Sequence, residues 1–161
     1  MIKETIEWCK PTRATKYSAM VDLYAKEDVV IGAGETRIVN LGVKIDIDFI
    51  TSTFTTQNYH VHSETLDEFL HTHFLELHPR SSLRAKGLIV GVGVVDLDYP
   101  DELGLIVHNP VAQDVKHNIF GEYIVSKGDK IAQCTLIEHK GFLMGIGSDV
   151  ERSGGFGSTD K

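Results

Sequence analysis

The chain has 161 residues, 42% of them hydrophobic, and carries 16 basic against 23 acidic side chains for a formal net charge of −7. A chain of this length normally makes one domain that buries roughly two-thirds of its unfolded surface, and its ordinary composition excludes disordered, collagenous and disulfide-scaffold classes. The acidic balance argues against a nucleic-acid binder, which needs clustered Lys and Arg, but leaves room for a small phosphate ligand held by a few donors.

At the start, Met1-Ile2-Lys3-Glu4 lacks the apolar core of a signal peptide, and Cys9 and Cys134 are too few for a disulfide framework, so a cytoplasmic, reducing setting is expected. The pattern then reads as strands. A turn signal at Ile31-Gly32-Ala33-Gly34 precedes a strand over Thr36 to Leu41, and Val43-Lys44-Ile45-Asp46-Ile47 alternates apolar and charged residues as a half-buried strand does. Residues 50 to 73 hold four of the eight histidines with weak alternation, and read as a loop or hairpin excursion. Within it, His60-Val61-His62 and His71-Thr72-His73 would place four imidazoles on one face if both lay on strands, a donor set for Zn2+; the alternative is a His-rich exposed hairpin. Thr65 and Glu68 have the spacing of a capping box for a one-turn helix.

Phe74 to Leu77 reads as a strand, and Ser82 to Gly87 as one short helix with Ser at its start and Gly at its stop. The longest apolar stretch, Gly87 to Val95, is about half the length a membrane helix needs. Strands follow at Leu103 to Val107, Glu122 to Val125 and Ile131 to Ile137, separated by Asn109-Pro110 and Ser126-Lys127-Gly128-Asp129. Short strands at this spacing favour an all-β sandwich or barrel. The last 21 residues hold six of the 15 glycines, so this tail has few side chains to bury: it is either disordered or an arm ordered by a ligand or partner.

Four segments carry chemistry. Pro79-Arg80-Ser81-Ser82 sets charged and neutral donors at a helix start, suited to phosphate or to a plain capped turn. Gly91-Val92-Gly93-Val94-Val95-Asp96-Leu97-Asp98-Tyr99 lacks the last glycine of a dinucleotide loop and reads as a glycine-rich hairpin. Asp96 and Asp98 lie on one side of that extended segment, Leu97 and Tyr99 on the other. Gly128-Asp129-Lys130-Ile131-Ala132-Gln133 is a turn entering a strand. Arg152-Ser153-Gly154-Gly155-Phe156-Gly157-Ser158-Thr159 combines a cation, hydroxyls, an aromatic ring and mobile glycines, the composition of a lid over a phosphate ester.

Taken in order, and with Ala19-Met20-Val21-Asp22-Leu23 ahead of them, these segments resemble the five motifs of the trimeric deoxyuridine triphosphatase (dUTPase) family over nearly the whole chain. The resemblance implies an all-β, jelly-roll-like barrel with one short helix over residues 1–145, interrupted by an insertion at about 50–73. Residues 146–161 would form a glycine-rich arm exchanged within a homotrimer. It implies hydrolysis of dUTP to dUMP and pyrophosphate with Mg2+ held mainly by substrate phosphates and water, without direct protein ligands. Asp96 would be the general base. Arg80, Ser81, Ser82 and Gln133 would bind phosphate, with Asp22 and Asp98 in support. Uracil would sit at Gly91, Gly93, Val94 and Val95, read entirely by main chain because Val90 stands where many members carry Asn, and Tyr99 would exclude a 2′-hydroxyl. Phe156 and Gly157 would cover the base while Arg152, Ser158 and Thr159 reach the phosphates. Two other readings remain: a deoxycytidine triphosphate deaminase, which shares the fold and an Arg-Ser-Ser motif but needs a Glu where this chain has Gly104-Leu105-Ile106-Val107, and a trimer whose insertion also binds a regulatory protein.

Overall fold

A computed structural model describes residues 1–55, 65–112 and 121–147. Its strands are β1 (Ile2–Glu4), β2 (Val21–Tyr24), β3 (Val29–Ile31), β4 (Thr36–Asn40), β5 (Val43–Ile45), β6 (His73–Pro79), β7 (Ile89–Val90), β8 (Gly93–Asp96), β9 (Gly104–His108), β10 (Tyr123–Val125) and β11 (Lys130–Glu138). Three short helices are α1 (Ile47–Thr55), α2 (Leu66–Thr72) and α3 (Ser81–Ala85). The strands form a four-stranded sheet in the order β2-β11-β6-β8, a three-stranded sheet β4-β9-β7, and the pairs β1-β5 and β10-β3, all antiparallel. None of the described helices is long and apolar enough to cross a membrane.

Period-two alternation places the core. Leu75 and Leu77 of β6, Leu105 and Val107 of β9, and Val39 of β4 turn inward and are buried, while Ile38 and Ile106, opposite each other across the β4–β9 ladder, stay exposed. Asn109 is one of two buried polar residues among those described, with Asp22; its amide donates to the Ile31 and Gly121 carbonyls at 3.1 and 2.6 Å and accepts from the Val111 N–H at 3.2 Å, so its burial leaves no group wanting. Gly42 has φ 60°, and a Cβ there would lie 2.6 Å from the Cys9 sulfur. Both thiols are buried, and burial pushes that of Cys134 up to about 12, so it stays protonated and unreactive.

The helices correct the sequence reading in two places. The strand expected over Val43 to Ile47 stops at Ile45, because the Asp46 carboxylate accepts the Phe49 N–H at 3.3 Å and its carbonyl accepts from Ile50, which opens α1. The excursion at 50–73 is not a simple loop or hairpin: its described parts are mostly helical, α2 being the capped helix that the Thr65–Glu68 spacing suggests, longer than one turn, and α1 an addition to the expected elements. Ile47, Ile50 and Phe54 follow helical spacing, as do Leu66, Phe69 and Leu70, and the Phe54 and Phe69 rings meet at 5.0 Å. The Thr65–Glu68 capping box is present in full and starts α2. His71 lies on this helix rather than on a strand, with its Nδ1 2.8 Å from the Asp67 carbonyl, and His73 stacks on Phe69 at 4.5 Å. The four-imidazole face therefore loses its premise at His71; His60 and His62 lie outside the described residues. The short helix expected at Ser82 to Gly87 begins at Ser81, with Arg80 as its N-cap residue.

Candidate active site

The centre of the four-stranded sheet brings together residues from three separated segments. Asp22 on β2 faces Gln133 on β11, which in turn faces His78 on β6. One turn later, Arg80 leaves β6 with its N–H on the Ile131 carbonyl at 2.8 Å and its guanidinium on the Asp22 carboxylate. Asp22 is only 2% exposed, and its other oxygen accepts from the Lys130 ammonium at 3.3 Å. Two partly exposed cations thus share one buried anion, which leaves an excess of positive charge at this end of the sheet and aims the Arg80 fork. Ser81 and Ser82 follow at the first turn of α3, both exposed. Sequence order suggests a serine cap here, but no side chain caps α3, so both hydroxyls face outward unengaged by that role.

A second feature lies across the sheet, at its β8 edge. Gly91, Val92, Gly93, Val94, Val95 and Tyr99 line a pocket of about 270 Å³ together with Leu77, Gly104, Leu105 and Ile106. That volume holds a base and part of a sugar rather than a triphosphate. The expected hairpin is not a closed one. β7 pairs with β9 and β8 with β6, and each is the outer strand of its sheet. The chain therefore bends from one sheet to the other at Gly91-Val92, and the two edges diverge around the pocket instead of bonding to each other. Edge strands present main-chain donors and acceptors in a row, which is what a flat heterocycle with an imide edge requires. Tyr99 is 7% exposed, held by a turn in which its N–H donates to the Asp96 carbonyl at 3.1 Å. As alternation predicts, Leu97 and Tyr99 point inward while Asp96 and Asp98 face out.

These two clusters are apart within one chain. Asp96 pairs with Phe74 across β6–β8, six residues before Arg80, which is about 20 Å along the strand at the usual rise. Of the residues singled out by sequence, Asp22, Arg80 and Gln133 meet in one place and Gly91, Gly93, Val94, Val95 and Tyr99 in another. Arg152, Phe156, Gly157, Ser158 and Thr159 lie outside the described residues. Sequence reasoning gives no site role to Lys130, although it lies in the Gly128–Gln133 segment, or to the pocket wall from Gly104 to Ile106: Lys130 sits in an ordinary turn sequence, and the β9 residues have apolar identities that only the fold brings to the pocket.

Comparison with known proteins bears on this arrangement. A dUTPase family model matches residues 75–160, a little over half of the chain. This protein belongs to the dUTPase family. The deoxyuridine 5′-triphosphate nucleotidohydrolase of Variola virus is 31% identical over 134 residues, covering 82% of this chain and 69% of the relative. The enzyme of the same name from Kluyveromyces lactis is 31% identical over 157 residues, 94% of this chain and 86% of its own. Among solved structures, this dUTPase resembles in fold the dUTPase of Streptococcus mutans (TM-score 0.60, 22% identity, 86% of this chain and 95% of that one) and that of phage phi11 of S. aureus (0.61, 18%, 98% and 97%). The family places the jelly-roll-like fold and the enzyme class, dUTP diphosphatase, on firm ground.

Proposed function

We propose that this dUTP diphosphatase cleaves the α–β anhydride of dUTP through a water activated by Asp96. The observation that carries the reading is the pocket at the divergence of β7 and β8, with Asp96 at the outer end of the strand that forms its wall. Uracil fits between the strand edges, where main-chain N–H and C=O groups meet O4, N3–H and O2; cytosine would leave such groups unpaired, a large penalty in a closed site. The Tyr99 ring, held by burial, supports the deoxyribose and leaves no space for a 2′-hydroxyl. From there the α-phosphorus lies toward Asp96. The carboxylate takes a proton from water, the new oxygen–phosphorus bond forms in line, the α–β bridging bond breaks, and pyrophosphate leaves.

The anionic leaving group calls for cations. Arg80, oriented by Asp22, with Ser81, Ser82 and Gln133, would supply donors to the phosphates, joined by Arg152, Ser158 and Thr159, while Phe156 and Gly157 cover the base. dUTPases work with Mg2+. Among the described residues no three ligating side chains cluster, and Asp22 is engaged by two cations; this donor set fits an ion carried by the triphosphate and water rather than a protein cage. When bound, Mg2+ would neutralise phosphate charge. Because Asp96 and Arg80 are about 20 Å apart along β6, a site using both needs two copies, and the exposed Ile38–Ile106 face offers apolar surface for their contact. The homotrimer typical of the family meets that need.

A pyrophosphate-release assay with dUTP, dCTP, dTTP and UTP side by side tests the reading. Strong preference for dUTP is expected, and Asp96→Asn should lower kcat by about 10²-fold or more with little change in substrate binding. Comparable turnover of dCTP, or an Asn variant as fast as the parent, would falsify it.

A further inference from the structure

Strand β11 is irregular where it enters the site. Lys130 pairs with Tyr24 and Ala132 with Leu23, so Ile131 is an extra residue on β11 with no counterpart on β2. Ile131 and Ala132 are both buried as a result, against the alternation a regular strand would show. Without the extra residue, Lys130 and Gln133 would point to opposite faces of the sheet. The bulge turns both to the side of Asp22. Gln133 lies opposite Asp22, and the Lys130 ammonium reaches the Oδ2 of that carboxylate at 3.3 Å while lying 5.7 Å from the centre of the Tyr24 ring. Arg80, arriving from the end of β6, takes the other oxygen, Oδ1, through a single nitrogen, Nη1.

A guanidinium and a carboxylate left to themselves commonly close into a bidentate pair with two parallel N–H···O bonds. At Asp22 one of the two oxygens is already occupied by Lys130. Among the described residues Arg80 makes no other side-chain hydrogen bond, so the rest of its fork stays open on a side chain that still reaches water. We propose that Lys130 is a positioning residue for the phosphate end of the substrate: by occupying Oδ2 of Asp22 it keeps Arg80 on one oxygen and leaves the remaining guanidinium N–H groups free for a phosphate. The inference rests on the reading above that Arg80 contacts the phosphates of dUTP. Without Lys130, a buried and uncompensated carboxylate oxygen would compete with phosphate for the same donors, and desolvation makes such an anion a strong competitor. With Lys130 in place the anion keeps a partner at each oxygen. The bulge at Ile131 is what delivers that second partner.

The test measures the KM for dUTP in Lys130→Met and Lys130→Arg, and in Lys130→Met combined with Asp22→Asn, with thermal denaturation to confirm folding. Lys130→Met opens Oδ2 to the guanidinium; KM should rise about three- to tenfold, the scale of one hydrogen bond. Lys130→Arg restores a cationic donor to Oδ2 and should bring KM back to within about twofold of the parent. In the Asp22→Asn background there is no carboxylate for Arg80 to close on. Adding Lys130→Met to it should therefore change KM by less than about twofold, the non-additivity expected of residues that act through one another. Lys130→Thr, too short to reach the carboxylate, replaces the Met variant if that one does not fold. Parental KM in the folded Met or Thr variant, or an Arg variant as impaired as Met, would overturn the positioning role. A Met effect undiminished in the Asn background would overturn it too, and make Lys130 a phosphate ligand in its own right. Parental KM in Arg80→Ala would instead remove the phosphate contact of Arg80, a failure distinguishable from that of Lys130.

Discussion

Asp22 shows how one buried carboxylate organises several charges. At 2% exposed and in contact with both Arg80 and Lys130, it is an anion whose desolvation is offset by two charge-assisted partners, each still reaching water. Its first consequence is structural: it joins β2 to the start of α3 across 58 residues of chain. The second is chemical, since a guanidinium aimed by a carboxylate loses less freedom when a phosphate arrives. Asp22→Ala should lower stability by about 1–3 kcal/mol, read by thermal denaturation, and raise the KM for dUTP because Arg80 is no longer aimed. A variant with unchanged KM would assign Asp22 to folding alone. Residue identity alone marks Asp22 as acidic in a strand; its pairing depends on the β2–β11–β6 register, which no local pattern specifies.

At the scale of elements, α2 is the piece most exposed to test. Its first turn depends on Thr65, whose hydroxyl accepts the Glu68 N–H at 3.2 Å, and on Glu68, whose carboxylate accepts the Thr65 N–H at 2.7 Å. Thr65→Ala should cost about 1 kcal/mol, seen as a lower melting temperature. Hydrogen bonds from Thr65 hold the Glu68 carboxyl below its ordinary value of 4.5. A group with a depressed folded pKa stabilises the fold above its unfolded pKa, and that contribution is lost as pH falls through the folded value. The difference in stability between the parent and Glu68→Gln should therefore shrink as pH drops below about 4.5 and be constant above it. The sequence contained the capping pair and the helical spacing of Leu66, Phe69 and Leu70, but the surrounding Thr, Ser and His have weak helical preference, which hid the helix's extent beyond the one turn that the capping pair suggests. In α1 an alternating run continued past Ile45, and only the Asp46 cap decided where strand gave way to helix.

For the whole molecule, the distance between Asp96 and Arg80 makes a quantitative prediction. If each site takes Asp96 from one copy and Arg80 from another, Asp96→Asn and Arg80→Ala chains are each inactive alone. Refolded together in equal amounts, they should recover about a quarter of parental activity, because random mixing places both intact residues at about one site in four. Sedimentation of the parent as three copies should accompany this result. No recovery from a mixture shown to exchange copies would mean that one protomer supplies both groups.

By itself the sequence determined the all-β class, most strand positions, the ordered motifs that mark a dUTPase, and the residue types its chemistry needs. These are local properties: alternation, turn chemistry and motif spacing are written within a few residues. The tertiary structure decided that β7 and β8 part into two sheets around a pocket, that Gly104 to Ile106 form its far wall, and that Asp22, Lys130 and Arg80 share charge. It also separated Asp96 from Arg80. Each of these follows from pairing between strands distant in sequence, where register is chosen by the packing of the whole core rather than by the residues that meet.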